Sequence, residues 1–249
     1  MFHEMKREFE DRIAIVTGGG SGIGRAVALR LAAAGARVTI ANRSEEAGRA
    51  VAAEAGGETR FVATDVADER SVKALFDAVG PDVHVLVNSA GVLAGTDRAP
   101  DIALEDWEQT FAVNARGTFL TCKHALARMS RGAAIVNVAS IAGMIGLPNR
   151  AAYCASKGAV IALTRALAID HVRDGIRVNC VCPGTVDSPW IDRVVAEHGE
   201  AREDLTARQP LGRLGTPDEI AEAVVYLASD RAAFSTGSQL VVDGGVTAA

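Results

Sequence analysis

The fold of this chain is decided by the stretch Ile13-Ala14-Ile15-Val16-Thr17-Gly18-Gly19-Gly20-Ser21-Gly22-Ile23-Gly24. Residues 13–17 form an apolar run rich in β-branched side chains, which predicts a buried strand, and a helical pattern follows from Arg25 to Ala34. The glycines between them permit positive φ angles and close backbone approach, while the start of a helix offers unpaired N–H groups and the positive end of a dipole. Strand, glycine turn and helix together predict a pyrophosphate site, and a turn that merely packs the strand on the helix is the alternative.

Apolar strand patterns and helical patterns alternate in the same way to the end of the chain. Strands are predicted at 13–17, 37–41, 59–63, 83–87, 133–138, 176–181 and 239–242, and helices at 25–34, 44–55, 67–79, 103–127, 151–171 and 217–228. The charged segment from Trp190 to Arg213 is predicted to be irregular. Because the alternation runs without a break, it predicts one domain over residues 1–249, built on a parallel sheet covered on both faces.

The composition indicates a soluble globular protein, with 49% hydrophobic and 23% charged residues. A net charge of −5 argues against nucleic acid or an anionic membrane as the main partner. The first ten residues mix charges with two Phe and contain no apolar h-region, and glycine and proline interrupt the longest uncharged run, 132–149. We therefore expect no membrane association and a cytoplasmic location.

The cysteines and histidines suggest no metal site. The four cysteines are Cys122, Cys154, Cys180 and Cys182, and their spacing matches neither a zinc site nor a disulfide framework. The five histidines are scattered singly, without the pairing of metal ligands. No metal is predicted.

Asn42-Arg43-Ser44 stands at the tip of the second predicted strand. In a dinucleotide fold an acidic residue here binds the ribose 2′-hydroxyl of NAD, whereas a nearby arginine accommodates the 2′-phosphate of NADP. The acidic residue is missing, Arg43 offers a cation, and Ser44 offers a further hydrogen bond. NADP is therefore the favoured cofactor. NAD is the alternative, with Asn42 on the ribose diol and Arg43 solvated or stacked on adenine.

Tyr153 and Lys157 stand four residues apart in the predicted helix 151–171, and so lie on one of its faces. An ammonium group beside a phenol favours the phenolate, so we expect Lys157 to lower the pKa of Tyr153 from its ordinary value of about 10. Such a phenol could act as a general acid or base. A Tyr and a Lys on a solvated helix face are the alternative.

These pieces resemble the short-chain dehydrogenase/reductase family over nearly the whole chain. The matching motifs are Thr17 to Gly24, Asp65-Val66, Asn88-Ser89-Ala90-Gly91, the tetrad Asn114, Ser140, Tyr153 and Lys157, and Pro183-Gly184. Ser89 departs from the second Asn of the usual Asn-Asn-Ala-Gly, but a small polar side chain remains. Motifs in this order favour the catalytic interpretation of Tyr153 over the solvated helix face.

The resemblance implies an α/β fold: a single Rossmann-type domain with a doubly wound, seven-stranded parallel sheet and helices on both faces, usually assembled as a homotetramer. It implies an NAD(P)-dependent oxidoreductase that exchanges hydride between nicotinamide and a secondary alcohol or ketone. Tyr153 would give or take the proton while Ser140 hydrogen-bonds the same oxygen. Lys157 would hold the nicotinamide ribose, and Asn114 would support a water that leads protons to it. The cofactor-binding residues expected are Gly18, Ser21, Gly22, Ile23, Gly24, Asn42, Arg43, Ser44, Asp65, Val66, Asn88, Ala90, Gly91, Tyr153, Lys157, Pro183, Gly184 and Val186.

Substrate specificity in this family lies in the loops after the fourth to sixth strands, here including a substrate-loop segment at about 185–213. Asn149-Arg150, the turn 183–189 and Ala207-Arg208-Gln209 are similar to a branch with cytosolic-type 3-hydroxybutyrate and 2-keto-3-deoxy-sugar-acid dehydrogenases. Its members act on small carboxylates, which suit arginine forks. The substrate-binding residues expected are Ser140, Arg150, Tyr153, Arg193 and Arg208, with solvated surface arginines as the alternative. The branch carries an NAD-type acidic residue that this chain lacks.

Three functions are therefore open. The leading one is a dehydrogenase of a small hydroxy or keto acid, which could be derived from a sugar. The second is a reductase of 3-oxoacyl groups on acyl carrier protein, which would use NADPH and need a basic docking patch that the sequence does not display. The third, a non-catalytic dinucleotide sensor, conflicts with the intact tetrad. In each case the expected ligand beside the dinucleotide is a small molecule or an acyl group.

Overall fold

One sheet of seven parallel strands forms the centre of the computed structural model, which describes residues 8–198 and 201–249. The strands are β1 (Ile13–Thr17), β2 (Arg37–Asn42), β3 (Arg60–Ala63), β4 (Val85–Asn88), β5 (Ala134–Val138), β6 (Arg177–Pro183) and β7 (Gln239–Val242). Their order in the sheet is β3-β2-β1-β4-β5-β6-β7. The order reverses between β1 and β4, and open α/β sheets bind ligands at the carboxyl ends of the strands beside such a reversal. The predicted fold class is confirmed.

Helices cover both faces of this sheet. In the described residues they are α1 (Gly22–Ala33), α2 (Glu45–Ala55), α3 (Glu69–Val79), α4 (Leu104–Phe111), α5 (Gly117–Leu126), α6 (Ala151–His171), α7 (Pro189–His198), α8 (Arg202–Ala207) and α9 (Pro217–Ala228). Val16 of β1 packs with α1 and α9 in one buried cluster, whereas its neighbour Ile15 packs with α3 and α5 in another. Consecutive strand residues point to opposite faces, so the two clusters show that the sheet is doubly wound.

The predicted helix 103–127 is interrupted in the structure. A π-helical segment, Ala112–Arg116, joins α4 to α5 and contains Asn114. Such single-turn bulges are frequent at functional sites, because they redirect one side chain without ending the helix. Hydrophobic periodicity alone did not reveal the extra residue.

The prediction that the segment from Trp190 to Arg213 is irregular was wrong. Helices α7 and α8 occupy most of it. They surround a small apolar cluster of Ile191, Leu205 and Leu214. Arg202 also donates to Asp187 at 2.8 Å and to Asp192 at 2.7 Å. These hydrogen bonds join residues that are 10 or more positions apart in the sequence. The local hydrophobic pattern therefore did not predict the two short helices.

Helix α6 packs against the sheet and is part of the buried core. By length and composition it is the one described helix that could cross a membrane. Its residues Val160 and Ile161, however, pack in a buried cluster with Cys180 and Cys182 of β6. This packing fixes the face of α6 that carries Lys157.

His84 connects β4 to β1 at the edge of the sheet opposite the carboxyl ends. Its Nδ1 accepts a hydrogen bond from the Ile13 N–H at 3.0 Å, so that nitrogen must be unprotonated. Burial lowers the pKa of His84 below its ordinary 6.5, and the charges of Arg12 and Arg37 lower it further, while Asp82 opposes them. The unfolded chain therefore binds a proton more readily than the folded one, and stability falls as the pH drops below about 6.5.

We expect His84→Asn to reduce this acid sensitivity, because the amide oxygen can accept the same hydrogen bond and does not titrate. Urea midpoints at about pH 8 and about pH 5 measure the effect, as the drop between the two should be smaller in the variant. An equal drop in both proteins would show that His84 is not a source of acid sensitivity.

Candidate active site

A cleft of about 810 Å³ opens at the carboxyl ends of the strands. Its wall consists of the turns that follow the strands β1 to β6, together with α7, the end of α8 and Val246 after β7. The volume lies in the range of sites that hold cofactors and small molecules. Among the described lining residues Asp65 is the only carboxylate, against five cations: Arg43, Arg150, Lys157, Arg193 and Arg208. The cleft therefore favours anionic ligands.

The glycine turn brings two strand ends into contact. Gly18 has a φ of +66°, and a Cβ there would lie 2.8 Å from the backbone nitrogen and Cα of Ala90. A Cβ on Gly24 would overlap the carbonyl oxygen of Gly18. Gly24 thus lets α1 begin directly beneath the turn, as the third glycine of a dinucleotide motif does.

The N-terminus of α1 is fitted for an anion. Its N-cap residue, Ser21, makes no capping hydrogen bond, and its first turn contains no acidic residue. In contrast, Ser44, Asp68 and Thr216 cap α2, α3 and α9 with their side chains. The open N–H groups and the helix dipole at α1 would hold the pyrophosphate of a dinucleotide.

The tip of β2 supplies the other end of the cofactor site. Asn42 Nδ2 donates to the Ser44 carbonyl at 3.0 Å, which shapes the tip, and Ser44 Oγ accepts from Ala47 N at 3.3 Å. Arg43 is exposed on the cleft wall and, within residues 8–198 and 201–249, makes no hydrogen bond or ion pair. Asp65 accepts from Ala67 N at 2.9 Å. The tip can therefore receive a phosphate on Arg43.

Ser140, Tyr153 and Lys157 meet in the middle of the cleft. Lys157 Nζ donates to the Val138 carbonyl at 2.9 Å and lies 5.7 Å from the centroid of the Tyr153 ring. Ser140 follows β5 and hydrogen-bonds the phenol. Gly143 allows the turn after β5 to lie against α6, because a Cβ at position 143 would lie 2.7 Å from the backbone of Lys157. The three predicted side chains are thus brought together.

The ionisation of the pair differs from the prediction. Burial raises the pKa of Tyr153 to about 12, although the hydrogen bond from Ser140 opposes the rise. Burial also lowers the pKa of Lys157 to about 8. The expected lowering of the Tyr153 pKa does not occur, because burial disfavours the phenolate more strongly than Ser140 and Arg150 favour it.

Asn114 lies behind the cleft wall and is 1% exposed. Its side chain accepts from Val92 N at 2.8 Å and donates to the Val92 carbonyl at 2.9 Å and to Ser156 Oγ at 3.0 Å. It therefore ties the loop after β4 to α6 between Tyr153 and Lys157. The predicted support of a water remains a prediction.

Two predicted cofactor residues do not reach the wall of the cleft. Gly24 lies under the turn, as described above. Asn88 is buried within the sheet, where it donates to Asn137 Oδ1 at 2.9 Å and accepts from Thr121 Oγ1 at 2.7 Å. Its amide holds β4 to β5 and α5, which a sequence motif at the strand end could not show. The remaining predicted cofactor residues line the cleft: Gly18, Ser21, Gly22, Ile23, Asn42, Arg43, Ser44, Asp65, Val66, Ala90, Gly91, Tyr153, Lys157, Pro183, Gly184 and Val186.

The three predicted substrate arginines all line the cleft. Arg150 is 9% exposed at the start of α6, donates to the Asn149 carbonyl at 3.1 Å, and lies near enough to Tyr153 to affect its pKa. Arg193 on α7 and Arg208 after α8 are exposed. Of these three arginines, Arg150 is the one whose charge acts on the pKa of Tyr153.

Sequence reasoning missed Trp190 and Gln209. The Trp190 ring lies 6.0 Å from the Tyr153 ring, centroid to centroid, with a tilt of 32°. Gln209 is buried and donates to Thr185 Oγ1 at 3.2 Å. An aromatic residue directly after the turn that follows β6 was a signal available for Trp190. Gln209 had no such signal, because its position depends on α8.

In the part of the chain that the structure describes, no group of three or more His, Cys, Asp or Glu side chains could hold a metal ion. The arrangement as a whole offers an anion cradle, a phenol with a neighbouring ammonium, and arginines beyond them. It is suited to proton transfer beside a bound dinucleotide.

Comparisons with known proteins agree with this chemistry. A family model described as enoyl-(acyl carrier protein) reductase matches residues 18–247. The cis-4-hydroxycyclohexanecarboxylate dehydrogenase of Sinomonas cyclohexanicum is 42% identical over 98% of this chain and 100% of that one. The D-threitol dehydrogenase of Mycolicibacterium smegmatis is 42% identical over 96% of this chain and 94% of that one. A solved structure of a short chain dehydrogenase/reductase family protein is 39% identical, with a TM-score of 0.88 over 97% of this chain and 100% of that one.

Proposed function

The chain belongs to the short-chain dehydrogenase/reductase family, and from that premise we propose that it interconverts small hydroxy acids and keto acids with NADP(H) as its preferred cofactor. It is an oxidoreductase that acts on CH–OH donors. The observation that supports the substrate class is the position of Arg150, which lies buried beside Tyr153 in a cleft with five cations and one carboxylate on its described wall.

Some residues of the cleft bind the dinucleotide that exchanges the hydride, and others transfer the proton. The dinucleotide, held by the α1 N-terminus and the β2 tip, accepts or supplies the hydride when it is bound. In ketone reduction the Tyr153 hydroxyl gives its proton to the carbonyl oxygen as the hydride reaches the carbon, and Ser140 hydrogen-bonds that oxygen. In alcohol oxidation both transfers reverse. Lys157, held by the Val138 carbonyl, keeps a positive charge close to the phenol.

Assembly and location belong to the same proposal. The exposed apolar side chains Leu104, Phe119 and Ile169 on α4, α5 and α6 support the homotetramer that the family resemblance implies. The cytoplasmic location is inferred from the composition.

A 3-oxoacyl-[acyl-carrier-protein] reductase is the second candidate, because the matching family model is described by a reductase that acts on another acyl group of the same carrier protein. It would use the same phenol and the same cofactor, so the substrate distinguishes the two. The decisive comparison is the rate with a 3-oxoacyl thioester of acyl carrier protein against the rate with a free keto acid. A much higher kcat/KM for the thioester would replace the hydroxy-acid proposal.

Tyr153→Phe should lower turnover by about 10²-fold or more while dinucleotide affinity changes little, because only the proton donor is removed. Turnover is followed at the nicotinamide absorbance, and affinity by titration of the dinucleotide. Tyr226→Phe is the matched control, since Tyr226 on α9 lies outside the cleft and is 39% exposed. Near-normal turnover in the Tyr153 variant would show that another group transfers the proton.

Arg43→Ala should abolish a preference for NADPH over NADH, because Arg43 is the cation available to a 2′-phosphate at the β2 tip. The measurement is the ratio of the two dissociation constants in parent and variant. Arg49→Ala is the control, as Arg49 on α2 pairs with Glu45 outside the cleft wall. Equal affinities for the two dinucleotides in the parent protein would refute the NADP assignment.

Arg150→Ala should raise KM for hydroxy acids about 10-fold or more and leave KM for neutral secondary alcohols almost unchanged. Arg150→Lys keeps the charge but loses the planar fork, so it should recover only part of the affinity. Steady-state kinetics on paired acid and neutral substrates give the comparison. If both substrate classes lose affinity equally, Arg150 shapes the loop and does not bind a carboxylate.

A further inference from the structure

The cleft beyond Tyr153 is walled mainly by apolar side chains. This substrate end is formed by the loops after β4 and β5, by α7 and α8, and by the residues after β7. Its apolar residues include Leu93, Ile141, Leu147, Trp190, Val194 and Val246. Apart from the arginines and the catalytic hydroxyls, such a wall matches a hydrocarbon surface.

Trp190 is the largest of these side chains and is held in place. It packs against the buried cluster of Ile191, Leu205 and Leu214, while its ring lies tilted at 6.0 Å from the Tyr153 ring. Arg202 donates to Asp192 at 2.7 Å and so fixes α7 to α8. The indole is therefore a preset wall beside the reacting oxygen.

Two polar side chains at this end already donate hydrogen bonds to the protein. Gln209 Nε2 donates to Thr185 Oγ1 and to the Leu205 carbonyl, both at 3.2 Å. Ser188 Oγ donates to the Val186 carbonyl at 3.3 Å. A substrate with several hydroxyl groups would leave water there and have mainly the arginines as partners, so most of its hydroxyls would face apolar side chains, which is unfavourable.

We propose, on the basis of the function proposed above, that the substrate is a hydroxy or keto acid whose carboxylate is attached to an alicyclic hydrocarbon ring. The ring occupies the apolar end of the cleft, and Trp190 selects it. The reacting carbon is a member of this ring. One face of the ring lies on the Trp190 indole, and the oxygen on the reacting carbon lies at Ser140 and Tyr153. The carboxylate extends toward Arg150. Polyhydroxylated sugar acids, by contrast, are excluded as substrates.

The first test uses Trp190 as its own reporter. Trp107 is the other tryptophan of the chain, lies on α4 and does not line the cleft, so Trp107→Phe leaves a single indole at the site. Titration of this protein with cyclohexanecarboxylate, which cannot react, should change the fluorescence with a saturable curve. Gluconate at equal concentrations should leave it unchanged. Saturable binding of gluconate with no response to cyclohexanecarboxylate would overturn the proposal.

The second test compares turnover of 4-oxocyclohexanecarboxylate and of acetoacetate, a keto acid without a ring. The ring substrate should have the higher kcat/KM, and Trp190→Ala should lower it about 10-fold while changing acetoacetate less than about 3-fold. Trp190→Phe should restore most of the loss, since a flat apolar ring remains. Trp107→Ala is the matched control and should change neither substrate.

The outcomes separate this inference from the function on which it rests. An equal loss for both keto acids in the Trp190→Ala protein would overturn the role of Trp190. Reduction of neutral cyclohexanone as effective as that of its 4-carboxylate, with the loss in Trp190→Ala retained, would overturn the carboxylate assignment and support the ring preference.

Discussion

The close approach of Gly18 to Ala90 is the constraint on which the cleft depends. Thr17 Oγ1 accepts hydrogen bonds from the backbone of Ser89 and of Ala90, both at 3.2 Å, and so draws the ends of β1 and β4 together. With a φ of +66° and no room for a Cβ, position 18 requires glycine. Because the chain leaves these two strands toward opposite faces of the sheet, a space opens beside the contact. The open N-terminus of α1 faces into that space.

Two further glycines connect this contact to the catalytic side chains. Gly91 follows the contact directly, and a Cβ there would lie 3.4 Å from Asn114 Oδ1 and 3.6 Å from Lys157 Nζ. Gly143 brings the turn after β5 onto α6, so that Ser140 meets the phenol. The π-helical segment then places Asn114 between the loop after β4 and α6. Small residues at strand ends thus set the distance between the cofactor cradle and the proton donor.

Local sequence signals predicted the parts of the molecule that depend on local interactions. Each strand lies within two residues of its predicted bounds, because alternation and apolar runs follow directly from burial. Helices α7 and α8 were missed since they rely on Arg202 bridging residues 15 and 10 positions away. The burial of Asn88 and the place of Trp190 likewise depend on tertiary packing. The direction of the Tyr153 pKa shift was wrong for the same reason, as spacing shows a neighbouring charge but not the loss of solvent.

The ionisation of the catalytic pair decides in which form the phenol rests before proton transfer. With a pKa of about 12, the phenol keeps its proton at neutral pH, which is the form that donates to a ketone. Oxidation of an alcohol begins with the phenolate, and the positive charge of Lys157 favours that form. Since the pKa of Lys157 is about 8, this charge is lost as the pH rises past that value, just where hydroxide would otherwise begin to help. The residues of this chain, taken by themselves, therefore keep Tyr153 in the form that donates a proton to a ketone.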